Sequence, residues 1–301
     1  MLSQSSYLSL YRKGKLEKRT KLLYALLESC ELCPRKCGVN RLKGEVGSCK
    51  MGKELVVSSY GPHFGEEKPL VGVYGSGTIF LTGCNLLCVY CQNYDISHYR
   101  VGSVVGEEEV ADFMLDLQRQ GCHNINLVTP THFTPQLVKS IEIGTKNGLT
   151  IPIIWNCSGY ENVEVIKLLE GIVDIYLPDI KYGRTDSAKK YSNAPDYFER
   201  CKEAVTEMYR QVGNLKLDEH EIAYRGLVVR HLVLPENQAG SKEVFEYLRD
   251  LSKDVYVNVM DQYRPEGRAG QYKKLGRCTT SKEFSNTIQI AKKFGLHKLD
   301  Y

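Results

Sequence analysis

Eleven cysteines in 301 residues exceed what packing needs, and seven of them fall into two groups whose spacing suits metal ligation. The tighter group is Cys84, Cys88 and Cys91, a C-x3-C-x2-C loop within GTIFLTGCNLLCVYCQNYDIS (77–97). An apolar run, Thr78 to Leu81, precedes the loop and reads as a buried strand ended by Gly83. So short a loop wraps three thiolates around one face of a single cluster. The next cysteine, Cys122, is too far along the chain to complete the set. A [4Fe–4S] cube normally takes four cysteines, so three leave one iron open to a ligand that is not protein. Structural zinc asks for four protein ligands. A disulfide with one spare thiol does not suit a reducing compartment.

The second group is Cys30, Cys33, Cys37 and Cys49, spaced C-x2-C-x3-C-x11-C with Pro34, Gly38, Gly44 and Gly47 between them. It reads as a small metal-bound knob. Four thiolates suit tetrahedral zinc or a fully ligated iron–sulfur cluster, and the residues alone do not choose between them. Zinc comes first because nothing in the loop provides an open position. The plain alternative is a set of unliganded buried thiols.

A rigid frame must position these groups. Helical spacing of Leu22, Leu23, Leu26 and Leu27 predicts a helix over 15–29, and Leu55 to Ser58 a short strand. From Gly77 onward strands and helices alternate. Strands are predicted at 78–81, 125–129, 151–155, 172–177, 227–234 and 255–259, with an insertion of about forty residues after the fourth. Pro135 marks one helix start, and Thr280 with Glu283 a capping box at the last. Six β-α units predict a parallel sheet with right-handed crossovers, too few for a closed eight-stranded barrel. An open partial (β/α)6 barrel is expected, with a doubly wound sheet as the alternative. Residues 1–76 read as a helix and cysteine-rich extension and 77–301 as the barrel domain. Either fold puts the site at the carboxyl ends of the strands.

The cysteine triad, with Tyr90 before its last cysteine and Gln92-Asn93 after it, resembles the signature of the radical S-adenosylmethionine superfamily. Together with CELCPRKCGVNR upstream, GSGTIF and NINLVTPTHF, it is similar to an uncharacterised branch of pyruvate formate-lyase activating enzyme-like proteins, over Cys30 to Pro265. The resemblance implies a TIM-like partial barrel and a [4Fe–4S] cluster whose open iron chelates S-adenosylmethionine. It also implies reductive cleavage of that cofactor to a 5′-deoxyadenosyl radical. Tyr90 and Asn93 are then expected beside the cofactor. After the second strand the activating enzymes carry Gly-Gly-Glu. This chain has Thr129-Pro130-Thr131-His132 instead, so Thr129 and Thr131 must serve through hydroxyls and carbonyls. His132 either faces the substrate or only begins a helix. Asn156 and Ser158 resemble the residues beside the ribose, and Asp179 and Lys181 an Asp-Leu-Lys pattern. Arg230, inside the apolar run LVVRHLVLP, is expected to hold the cofactor carboxylate or to pair with a neighbouring carboxylate. Met260 to Pro265 should cap the site. His63, Glu66 and Glu67 either face it or lie on a solvated loop.

Composition is ordinary for a globular protein, with 42% hydrophobic and 25% charged residues. A net charge of +4 without basic blocks does not argue for nucleic acid. The N-terminal stretch lacks the apolar core of a signal peptide, and no run reaches the length of a membrane span. A cytoplasmic protein is expected, reduced by a flavodoxin or ferredoxin. Three functions were open to such a chain: hydrogen abstraction from a protein partner, modification of RNA or a small molecule, or a non-catalytic metal scaffold. The open-iron triad disfavours the third.

Overall fold

A computed structural model describes residues 5–301. The chain begins with α1 (Ser6–Arg12) and α2 (Lys15–Ala25), joined at Gly14, whose φ of +61° needs glycine. The expected helix over 15–29 stops at Ala25. Beyond it the knob's own bonds take over: Arg41 N–H donates to the Leu27 carbonyl at 2.9 Å, and Cys30 N–H to Val39 at 2.9 Å.

The sheet is built from β1 (Leu55–His63), β2 (Ser76–Leu81), β3 (Ser103–Val105), β4 (Ile125–Val128), β5 (Ile153–Cys157), β6 (Ile175–Pro178), β7 (Lys216–Leu217), β8 (Ala223–Leu232), β9 (Tyr256–Met260) and β10 (Lys298–Asp300). Its order is β10-β9-β8-β6-β5-β4-β2-β1-β3, with β7 paired to β8. From β2 to β10 the path is parallel, and strands adjacent in this order follow one another along the chain. A doubly wound sheet reverses its strand order at a switch point. This one never reverses, so it is an open, singly wound partial barrel. Strands β1 and β3 add on antiparallel at one edge. The short β10 adds a parallel strand beyond the six expected; three residues carry no readable period.

Helices α3 (Lys68–Val71), α4 (Glu107–Arg119), α5 (Thr134–Lys146), α6 (Val163–Leu168), α7 (Thr185–Ser192), α8 (Tyr197–Val212), α9 (Ser241–Leu251) and α10 (Ser281–Lys293) complete the chain. Pro135 sits in the first turn of α5, and Thr280 with Glu283 forms the expected capping box of α10. Strands β5 and β6 are buried along their whole length, including Trp155. Such side chains contribute roughly 1.5–3 kcal/mol each, which holds the strand ends rigid enough to carry a site. The forty-residue insertion is α7, α8 and β7. No helix among the described residues is long and apolar enough to cross a membrane.

Candidate active site at the barrel mouth

The loop leaving β2 carries Cys84, Cys88 and Cys91. Gly83, at φ +77°, is required there: a Cβ would lie 2.5 Å from Met51 Cγ. The loop is tied on both sides. Val89 N–H donates to Tyr191 at 2.9 Å, and Arg268 N–H donates to the Val89 carbonyl at 2.7 Å. Tyr90 is buried, edge-on to Tyr182 and Tyr263.

Each of the three sulfurs meets a donor. Leu86 N–H donates to Cys84 Sγ at 3.3 Å, Ser192 Oγ to Cys88 Sγ at 3.1 Å, and Ser97 Oγ to Cys91 Sγ at 3.2 Å. Burial pushes the Cys84 thiol up to about 12 and raises Cys88 as well, against the pull of Lys181 and Ser192. Holding thiolates there would take a cation beside the sulfurs. Donors aimed at sulfur suit thiolate ligands and tune a cluster's potential. No three Cys, His, Asp or Glu among the described residues are already drawn around a point for a single metal ion. A cube spreads its ligands over a wider face than one ion does.

The loop opens onto a cavity of about 580 Å³ at the carboxyl ends of the strands. Its wall includes the three cysteines, Tyr90, Asn93, Thr129, Asn156, Ser158, Asp179, Lys181 and Arg230. Thr129 turns the chain at the end of β4 with φ +61°, a costly conformation for a β-branched residue, and its N–H donates to the Asn156 carbonyl at 2.8 Å. Lys181 Nζ meets Asp179 at 2.6 Å. Burial opposes the ammonium charge, but Asp179 and the nearby thiols hold its pKa above the ordinary lysine value.

Arg230 stands in register with Asp179 on one side and Asn258 on the other. Its Nε and Nη2 fork onto Glu67 at 2.7 and 2.9 Å, and Nη2 also meets Glu66. Asn258 Nδ2 donates to Glu67 at 2.8 Å. Burial pushes Glu67 up and Arg230 down, and the ion pair between them offsets the cost of burying either charge alone. Nη1 makes no hydrogen bond to a described residue. Of the two partners foreseen for Arg230, the structure displays the neighbouring carboxylate. His63, Glu66 and Glu67 all lie on the cavity wall, as do Met260, Asp261 and Gln262.

Thr131 and His132 are placed elsewhere. Thr131 is buried behind the wall, its Oγ1 donating to Glu161 at 2.6 Å. His132 Nε2 lies 2.7 Å from the Thr82 carbonyl, and burial pushes its pKa down to about 3, so it is a neutral packing group. Both lie in a short 3-10 turn, Thr131–Phe133, that leads from Pro130 into α5. Ser97 and Ser192 escaped sequence reasoning, since a serine in a loop or an insertion carries no signal. Glu67 had one: a buried arginine demands a carboxylate, and the polar linker before β2 holds an adjacent pair.

In the knob, the position a Gly47 Cβ would take lies 2.9 Å from Cys37 Sγ and 3.7 Å from Cys49 Sγ. The backbone N–H groups of Leu32, Arg35 and Met51, each two residues on, favour the thiolates of Cys30, Cys33 and Cys49 against burial, which raises all three. Arg41 is fully buried beside them, donating from Nε to Gly52 at 2.8 Å and from Nη1 to His132 at 2.5 Å.

Residues 78–217 match the model of the radical SAM superfamily. An uncharacterised protein of Methanocaldococcus jannaschii is 31% identical over 291 residues, covering 93% of this chain and 79% of its own length. A second uncharacterised protein of that organism is 28% identical over 191 residues, 58% of this chain and 55% of its own length. The chain belongs to the radical SAM superfamily. It is therefore an enzyme of that class, with a [4Fe–4S] cluster and S-adenosylmethionine as its cofactors.

Proposed function

We propose that Cys84, Cys88 and Cys91 hold the cluster, that the cavity beside them takes S-adenosylmethionine, and that the enzyme removes a hydrogen atom from a protein partner, as a glycyl-radical activating enzyme does. The observation that carries the cofactor assignment is three sulfurs on one short loop, each reached by a hydrogen-bond donor, at the rim of a cavity lined by polar strand ends. When bound, the two cofactors supply one-electron cleavage of the sulfonium to methionine and a 5′-deoxyadenosyl radical. The chain's own residues bind and orient. Asn156 and Ser158 offer short polar side chains to ribose hydroxyls. Asp179 and Lys181 offer a carboxylate and an ammonium to the amino-acid end. Arg230, held by Glu67, offers its remaining Nη1 to the carboxylate. Asn93 and Thr129 close the wall.

The electron donor in this reading is a flavodoxin or ferredoxin with an acidic face. Lys189, Lys190, Arg264, Arg268 and Lys273 are exposed on the segments tied to the cluster loop, and none forms an ion pair among the described residues. The cysteine-rich extension, residues 1–76, carries a structural metal centre on Cys30, Cys33, Cys37 and Cys49, with zinc preferred to a second iron–sulfur cluster. Such thiol chemistry fits a cytoplasmic setting. The test of the whole reading is an anaerobic reaction in cell extract with deuterated candidate partners. Deuterium appearing in 5′-deoxyadenosine from a protein supports it; deuterium from RNA or a small molecule replaces the partner assignment.

A further inference from the structure

Arg35 lies between Cys33 and Cys37, on the knob, yet its guanidinium is committed to the cluster loop. Nε donates to the Asn85 carbonyl at 3.0 Å and Nη2 to the Ser192 carbonyl at 2.8 Å, while Nη1 meets the Asn193 carbonyl. Asn85 directly follows Cys84. Its side chain is fixed in turn, with Nδ2 donating to the Tyr160 carbonyl at 2.6 Å. Ser192 is the residue whose hydroxyl meets Cys88 Sγ at 3.1 Å. The guanidinium also sits 5.3 Å from the Tyr160 ring centre, which fixes its plane. One side chain thus grips the backbone beside one cluster cysteine and the backbone that aims a donor at another.

We propose that Arg35 is a positioning residue for the catalytic cluster, and that through it the knob sets the loop presenting Cys84 and Cys88. This rests on the reading that these cysteines hold the cluster. The geometry requires a fork: three carbonyls in different directions match a planar guanidinium and not a single ammonium. It also requires the knob to be closed. Lys36 N–H donates to the Cys33 carbonyl at 3.0 Å and Gly38 N–H to the Cys30 carbonyl at 3.1 Å, so Arg35 projects from a short closed turn that starts at Cys33 and is followed at once by Cys37. Drawing Cys33 and Cys37 toward one metal fixes that turn. Leaving them free lets it move.

The test uses the full chain with Arg35→Gln and Arg35→Lys, reconstituted anaerobically with iron and sulfide. Cluster retention on gel filtration and the EPR spectrum of the reduced cluster are read, alongside melting of the iron-free protein. Arg35→Gln should hold its cluster about tenfold more weakly, the usual cost of removing a group that orients a ligand. It should also shift the EPR spectrum, while the iron-free protein melts near wild type. Arg35→Lys should fall between. A cluster-loaded Arg35→Gln protein with wild-type retention and spectrum overturns the proposal. If that variant does not fold, a wild-type spectrum and retention in Arg35→Lys overturns it instead. Wild-type protein that takes up no cluster at all defeats the underlying cluster assignment, a result readily told apart from an unaltered Arg35 variant.

Discussion

The molecule uses cysteine twice, and the two sites differ in what surrounds the sulfur. At the barrel mouth three sulfurs share a loop, each meets one donor, and the loop opens onto a cavity of about 580 Å³. In the knob the four cysteines lie on irregular turns near the buried Arg41, with the Cys37 and Cys49 sulfurs closest to Gly47. If both sites take metal as proposed, three ligands beside open space would leave a coordination position for a substrate, and four in the knob would leave none. On the proposed reading the same residue would serve chemistry in one place and folding in the other. The lesson is that ligand number and the space beside it, more than residue type, separate the two roles.

The comparison can be broken most sharply by deleting sulfurs at each site. Cys84→Ala, Cys88→Ala or Cys91→Ala should each abolish formation of 5′-deoxyadenosine while leaving the fold intact by circular dichroism. In the triple variant, about one zinc per chain would support the structural reading of the knob. About four irons would make the knob an auxiliary cluster instead. A folded, monodisperse triple variant with neither metal would remove the distinction altogether. Cys33→Ser/Cys49→Ser should act the other way, lowering the melting temperature first and activity only as a consequence.

A smaller effect is expected at the cavity wall. Arg230→Met should weaken S-adenosylmethionine binding by roughly 2–5 kcal/mol, since it removes the charge-assisted bond proposed for the cofactor carboxylate and leaves Glu67 facing it unneutralised. Isothermal titration on cluster-loaded protein measures this. Glu67→Gln should cost less, because the amide still accepts one bond from the guanidinium. Equal affinity in wild type and Arg230→Met would make the pair purely structural.

The smallest effect concerns Glu161, buried between the barrel and the knob. Burial raises its pKa from 4.5 to about 8, against a hydrogen bond from Thr131 Oγ1 at 2.6 Å. A raised folded pKa means the carboxyl contributes stability that is fully present below pH 4.5 and is lost as pH rises through about 8. Glu161→Gln mimics the protonated acid, so it should flatten the decline in denaturation midpoint across that window. An unchanged slope would show that Glu161 is already ionised in the fold.

Much of this arrangement could be read from the residues. The three-cysteine loop stood out because its spacing is local, and the six parallel strands because apolar runs between helical periods leave a clear pattern. The edge strands β3 and β10 were not, because three residues hold no period. Within the site, Asn156 and Asp179 were singled out by their place just past a strand together with the resemblance, and Arg230 by its charge inside an apolar run. Thr131 could not be separated from Thr129 in the same way, since two residues of helix entry decide which hydroxyl turns inward. Ser192 and Arg35 reach the loop from 104 and 50 positions away, respectively, to Cys88 and Asn85, and such long-range contacts leave no trace in spacing.

The most direct measurement is anaerobic incubation of the reconstituted protein with dithionite and S-adenosylmethionine, with 5′-deoxyadenosine and methionine quantified by mass spectrometry. The wild-type chain should release both in equal amounts, and each of the single alanine variants at Cys84, Cys88 and Cys91 should release neither. Full cleavage by all three variants would contradict the assignment of the cluster to this loop.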